Sequence, residues 1–280
     1  MKNGNLRALA LALAVAGCTA AGADVSPANS SVSKEDAAKS SFLAGGYLKR
    51  DEIPDSLTIN PPPPAEGSAA EARDRERADA ALALQGSSRF RLAAIDAAFF
   101  APDGASVFSC TAGFRISQDT TPKLDAFLKR TVPDLALSTY PTKTHYQRAR
   151  PFMVNGKATC TPDHEGMLRK DGSYPSGHSA IGYGWGLILA ELIPDRAAAL
   201  VSRGREFGES RRICNVHWQS DVEEGRAVAA AVVARLHANP QFRADLEAAR
   251  EELSVKAGSL PRAECALEAD ALGQGDDARP

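Results

Sequence analysis

The stretch from His178 to Leu192 constrains the fold more than any other part of the sequence. It is apolar on most sides, reads as a helix, and is closed by Pro194. A helix that is apolar nearly all round has to be buried, so the rest of the chain must pack around it. The remaining strong signals are helical too, since Ala-rich amphipathic stretches outnumber alternating Val/Thr/Tyr runs. A helical pattern starts near Ala69, breaks at Gly86 and resumes from Phe90 to Phe100. Others run from Leu124 to Val132 (stopped by Pro133), from Val222 to His237, and from Gln241 to Val255. These patterns predict a mainly helical fold, one helical domain over residues 42–258. The Pro61–Pro64 run cannot join a helix and is expected as an extended strap over the surface. The C-terminal tail, 259–280, is expected to be disordered from about Ala266 onward, where it ends in Gly, Asp and Pro.

The N-terminus reads as a secretory signal, residues 1–23. Lys2 and Arg7 precede an apolar run, Ala8 to Gly17, too short to span a bilayer comfortably. Two cleavage sites compete: Ala21-Gly22-Ala23 suits ordinary signal peptidase, and Val15-Ala16-Gly17-Cys18 resembles a bacterial lipoprotein box. The apolar run ends at Cys18, which tips the balance toward lipidation. Residues 24–41 read as a flexible leader. The expected location is periplasmic or secreted, or anchored to the outer membrane through Cys18. The other cysteines, Cys110, Cys160, Cys214 and Cys265, then suggest two disulfides with three connectivities open. Their spacing includes no C-x-x-C and no histidine in register, so no metal site is expected. A net charge of -2 offers nucleic acid no general attraction, and any anion site must come from a local cluster.

Three segments supply such a cluster. In the third, Ser210 to Asp221, His217 and Asp221 stand four apart, which on a helix puts them on one face. A carboxylate there can take the Nδ1 proton and leave Nε2 with an exposed lone pair, a nucleophile. Arg211 could reach an oxyanion beside the same ring. In the second, Tyr174 to Ser179, Ser176 can cap a helix and Gly177 lets backbone approach a ligand closely. The apolar helix that follows would aim its N-terminal N–H groups at an anion, with His178 placed as a general acid. In the first, Lys143 and Arg150 are seven residues apart, two turns along one helical face that ends at Pro151. Taken singly, each segment has an ordinary explanation: a surface His–Asp pair, a capped helix start, cations at a helix C-terminus. Together they describe a phosphate-transfer site.

Together, too, the segments resemble the K-x6-R-P, P-S-G-H and S-R-x5-H-x3-D signature of the type 2 phosphatidic acid phosphatase (PAP2) superfamily, which includes the vanadium haloperoxidases. Asp171 to His178, Cys214 ahead of His217 to Asp221, and Pro54 to Leu57 with the proline run resemble the class A bacterial non-specific acid phosphatases, from about Tyr47 to Glu251. The resemblance implies an all-α fold, a single compact helical-bundle domain of the PAP2/haloperoxidase type, with small phosphate-monoester substrates, no cofactor, and vanadate as an inhibitor in the phosphate pocket. It implies that Lys143, Arg150, Ser176, Gly177 and Arg211 bind phosphate oxygens. His217, supported by Asp221, would form a phosphohistidine, and His178 would protonate the leaving alcohol, with activity in mild acid. Asn215, Val216 and Arg212 depart from the family pattern beside the nucleophile and put substrate preference in question. Two other readings compete, a vanadate-dependent haloperoxidase and a silent phosphate- or lipid-binding envelope protein. A homo-oligomer is compatible with the sequence. The membrane is expected to be a partner only through Cys18, and nucleic acid is not expected to be one.

Overall fold

Among the residues that the computed structural model describes (Met1, 45–98, 103–255 and 260–273), every regular element is helical. The expected signal peptide with both cleavage sites, the leader and residues 274–280 lie outside the described residues. The main helices are α1 (Ala69–Leu82), α2 (Ser88–Asp96), α3 (Pro122–Leu137), α4 (Tyr140–Tyr146), α5 (Gly177–Leu192), α6 (Ala197–Ile213), α7 (Gln219–Leu236), α8 (Pro240–Val255) and α9 (Ala266–Ala271). The break between α1 and α2 falls where the sequence puts it: Gly86 takes a φ of 82°, and Ser87 caps α2 by accepting the Phe90 N–H.

The apolar helix α5 is the central element, packed on α3, α6 and α7. Its glycines make the close contacts. A Cβ on Gly184 would lie 2.6 Å from Leu135, and one on Gly186 would lie 2.8 Å from the Leu200 carbonyl. Any larger side chain would push α3 or α6 outward. Between the helices, Phe108, Trp185 and Phe207 form an aromatic cluster, and the Trp185 indole donates to the Leu128 carbonyl at 3.0 Å. Among the described residues no helix is long and apolar enough to cross a membrane.

Two expectations need correction. Pro133 does not stop its helix, because α3 continues to Leu137. A helix-interior proline costs roughly 3 kcal/mol. Leu124, Leu128, Val132 and Leu135 are all fully buried along that face, and each contributes about 1.5–3 kcal/mol. The packing outweighs the proline. Nor does order end at Ala266: among the described residues α9 packs on α2 and seats Glu268 in contact with Arg203. The Cys110–Cys265 disulfide ties this tail to the body. The second disulfide, Cys160–Cys214, fastens an outer loop three residues before His217. The Pro61–Pro64 strap carries no regular structure, and the Tyr174 hydroxyl donates to the Pro61 carbonyl at 2.7 Å.

Candidate active site

His217 and Asp221 do share one face, but not along one helix. His217 sits in the turn before α7, and Asp221 lies in its first turn. The Asp221 carboxylate caps that helix start: Oδ2 accepts the Trp218 N–H at 2.9 Å and meets His217 Nδ1 at 3.2 Å. One oxygen therefore both starts the helix and fixes the imidazole, an arrangement a capping position makes natural. The pair is fully buried, unlike an ordinary surface His–Asp pair. With Nδ1–H donating to the Asp221 carboxylate, Nε2 carries the lone pair and meets Arg150 Nη1 at 3.0 Å. Burial, then Arg150, Lys143 and Arg211, hold the His217 pKa well below its ordinary value. The surrounding cations and burial thus favour the neutral ring.

Lys143 and Arg150 do not lie on one helix as expected. Helix α4 ends at Tyr146, Gln147 turns left-handed with a φ of 44°, and Arg150 has extended backbone before Pro151. The reason is local: the residue before a proline is pushed out of helical conformation. Both cations are gripped by carbonyls of one turn. Lys143 Nζ donates to the Gly172 carbonyl at 2.7 Å, and Arg150 donates to the Leu168, Asp171 and Val216 carbonyls. Asp171 stands at their edge, 3.4 Å from Arg150 and 3.9 Å from Lys143. Arg211 differs. Its Nε and Nη1 are buried and have no hydrogen-bond partner among the described residues. Burial and the neighbouring Arg150 push its pKa down to about 9. A buried unpaired guanidinium is costly and calls for an anion.

The second segment closes the ring. Ser176 caps α5 by accepting the Ser179 N–H, while its own N–H donates to the Asp221 carbonyl at 2.9 Å. Close approach of α7 requires Gly225, since a Cβ there would lie 2.4 Å from the Ser176 carbonyl. Gly177, the first residue of α5, has open space on its Cβ side apart from an ordinary contact with Thr139. His178 lies one residue further, its ring parallel to Phe207 and its Nε2 3.4 Å from the Ala97 carbonyl. Burial, then Arg211 and His217, hold its pKa well below the ordinary value too. Beside these cations a proton on His178 needs a neighbouring negative charge to stay. Thus Lys143, Arg150, Ser176, Gly177, His178, Arg211, His217 and Asp221, drawn from three separated stretches, converge on one place.

Several residues here carry no signal that sequence reasoning used. Arg148 links the Asp221 carboxylate to the buried Asp74 of α1. It lies within the first segment, where extended backbone sends positions i and i+2 the same way, so Arg148 and Arg150 both reach the His217–Asp221 pair. Asn215 adopts a φ of 62°, a conformation asparagine tolerates better than most residues, and its side chain bonds Asn155 and the Lys157 carbonyl. Arg212 points outward to Glu209 and the Arg77 carbonyl. His145 is exposed against Tyr146, and His237 pairs with Glu191. No group of three or more His, Cys, Asp or Glu side chains among the described residues could hold a metal ion.

The PAP2 superfamily model matches residues 134–245, which span all three segments. A non-specific acid phosphatase of Providencia stuartii is 40% identical over 209 residues, covering 74% of this chain and 84% of that protein. One from Salmonella typhimurium is 42% identical over 213 residues, covering 76% and 85%. An acid phosphatase of Zymomonas mobilis is 39% identical over 199 residues, covering 71% and 75%. With the helical fold and the converging signature residues, these likenesses establish that the chain belongs to the bacterial non-specific acid phosphatases of the PAP2 superfamily.

Proposed function

We propose that the chain hydrolyses phosphate monoesters through a phosphohistidine on His217, without a cofactor. The observation that carries this reading is the buried Arg211 with its unpartnered donors, in a site whose other cations crowd a neutral imidazole. An anion with several oxygens is the ligand such a site lacks. Arg150, Lys143, Arg211, Ser176 and the backbone at Gly177 bind the phosphate oxygens, where positioning and charge stabilisation do most of the work of phosphoryl transfer. His217 Nε2 attacks phosphorus as the P–O bond to the alcohol breaks. His178 gives that oxygen its proton, then takes one from the water that cleaves the P–N bond. Asp221 keeps the Nδ1 proton in place throughout and offsets the charge on the phosphorylated ring.

The pH behaviour follows from the signs. A depressed His217 pKa keeps its lone pair available well below pH 6.5, so activity persists in acid. His178 needs the substrate's negative charge to hold its proton, and loses it as pH rises, so activity falls toward alkali. The chain acts in the periplasm or outside the cell, as a free protein or held by lipid at Cys18, and vanadate competes for the phosphate pocket. The test is hydrolysis of an aromatic phosphate by wild type and His217→Ala, with a chelator present. The expected result is loss of at least about a thousand-fold in the variant, as for removal of a catalytic nucleophile, and no effect of chelator on wild type. Full activity in His217→Ala, or catalytic oxidation of halide by added peroxide with the vanadate-treated protein, would overturn the reading.

A further inference from the structure

The geometry points to Arg148 as a positioning residue for the nucleophile, acting through the carboxylate of Asp221; the inference rests on the phosphohistidine reading. Asp221 divides its oxygens. Oδ2 serves His217 Nδ1 and the Trp218 N–H, while Oδ1 accepts from Arg148 Nη1 at 2.7 Å. The other fork of Arg148 reaches Asp74 Oδ2 at 2.7 Å, and Nη1 also donates to Ser220 Oγ at 2.8 Å. Ser220 closes the loop by donating both its N–H and its hydroxyl to Asp74, at 2.8 and 2.5 Å. The guanidinium lies against the rings of Trp218 and Tyr174. Both carboxylates are fully buried.

Such a fork does two things, the first of which depends on its planar geometry and the second on its charge. It fixes the carboxylate plane, so that Oδ2 rather than a rotated oxygen faces Nδ1. Its positive charge also offsets that of Asp221, which limits how strongly that carboxylate draws a second proton onto His217. The sign follows. Without Arg148, Asp221 pulls harder, the His217 pKa rises, and a larger fraction of the ring is protonated in acid. The groups facing His217 are Asp221, Arg150, Lys143, Arg211 and His178. Those facing Arg148 are Asp74 and Glu71 of α1 and Asp221 of α7. Arg148 joins the two sets through the Asp221 carboxylate.

The test uses Arg148→Gln and Arg148→Lys in the full chain, each with melting temperature, a burst titration of active sites, and kcat and KM of an aromatic phosphate across pH. Arg148→Gln is expected to lower kcat about 10- to 100-fold per titrated site, as losses of orienting partners do. KM should stay within about three-fold, and the acid limb of kcat/KM should move to higher pH. Arg148→Lys, which keeps the charge, should shift the limb less. In an Asp221→Asn background, Arg148→Gln should cost little more. Activity per titrated site equal to wild type with an unmoved pH profile would overturn the inference, as would a change in KM alone. His217→Ala separates the two readings: if it stays active, the phosphohistidine reading fails. If it is inactive while the Arg148 variants behave as wild type, only the role of Arg148 fails.

Discussion

Helix α6 carries two buried arginines eight residues apart, and they sit in opposite circumstances. Arg203 is saturated: it forms a two-pronged pair with Asp96 and gives its Nε to Glu268 at 2.9 Å. Burial opposes its charge, but Asp96 and Glu268 together raise its pKa above the ordinary arginine value. Arg211 is as deeply buried, has no acidic partner in contact among the described residues, and is pushed down to about 9. One guanidinium is a structural strut linking α2, α6 and α9. The other has two donors, Nε and Nη1, that meet no acceptor among the described residues, and in the proposed mechanism they bind phosphate oxygens. The pattern teaches that a buried charge left unpaired within a well-paired core marks a binding function, because packing alone would have removed or neutralised it.

Swapping each arginine for a methionine of similar length sharpens the contrast. Arg203→Met leaves Asp96 and Glu268 buried without their cation and should cost about 3–5 kcal/mol of stability, read from denaturant unfolding. Arg211→Met should leave stability unchanged or raised, yet lower kcat/KM by at least about a hundred-fold, in line with loss of a charged oxyanion donor. If the two variants behaved alike in both assays, the distinction would be false. A smaller effect separates the pair further. Saturating inorganic phosphate should stabilise wild type by RT ln(1 + [L]/Kd), about 2.7 kcal/mol at a hundred times Kd. Arg211→Met should lose most of that gain, whereas Glu268→Gln, which weakens only the Arg203 strut, should keep it.

Much of this was legible in the residues, for identifiable reasons. Helix α5 is long, apolar and ended by Pro194, so both its existence and its burial follow from periodicity. The segments around Lys143, Ser176 and His217 are short and chemically distinctive, and their convergence is what the chemistry of an anion site needs. The two misreadings within the site share one cause, since each assumed that spacing implies a regular helix. His217 and Asp221 meet across a helix start because the carboxylate caps it, and Lys143 and Arg150 meet through a left-handed turn at Gln147. Pro133 and the tail after Ala266 failed differently: tertiary burial and a distant partner, Arg203, override what local sequence favours. Arg148 was hidden because its partners, Asp74 and Asp221, are remote in sequence and only the fold brings them to one guanidinium.

The most direct measurement of the central claim is to quench the protein during turnover of a phosphate monoester and locate the covalently bound phosphoryl group by peptide mass. The account predicts one adduct, on His217, stable in alkali and lost in acid as a phosphoramidate should be, and absent from His217→Ala. An adduct on another residue, or steady hydrolysis with no phosphorylated protein at any quench time, would contradict it.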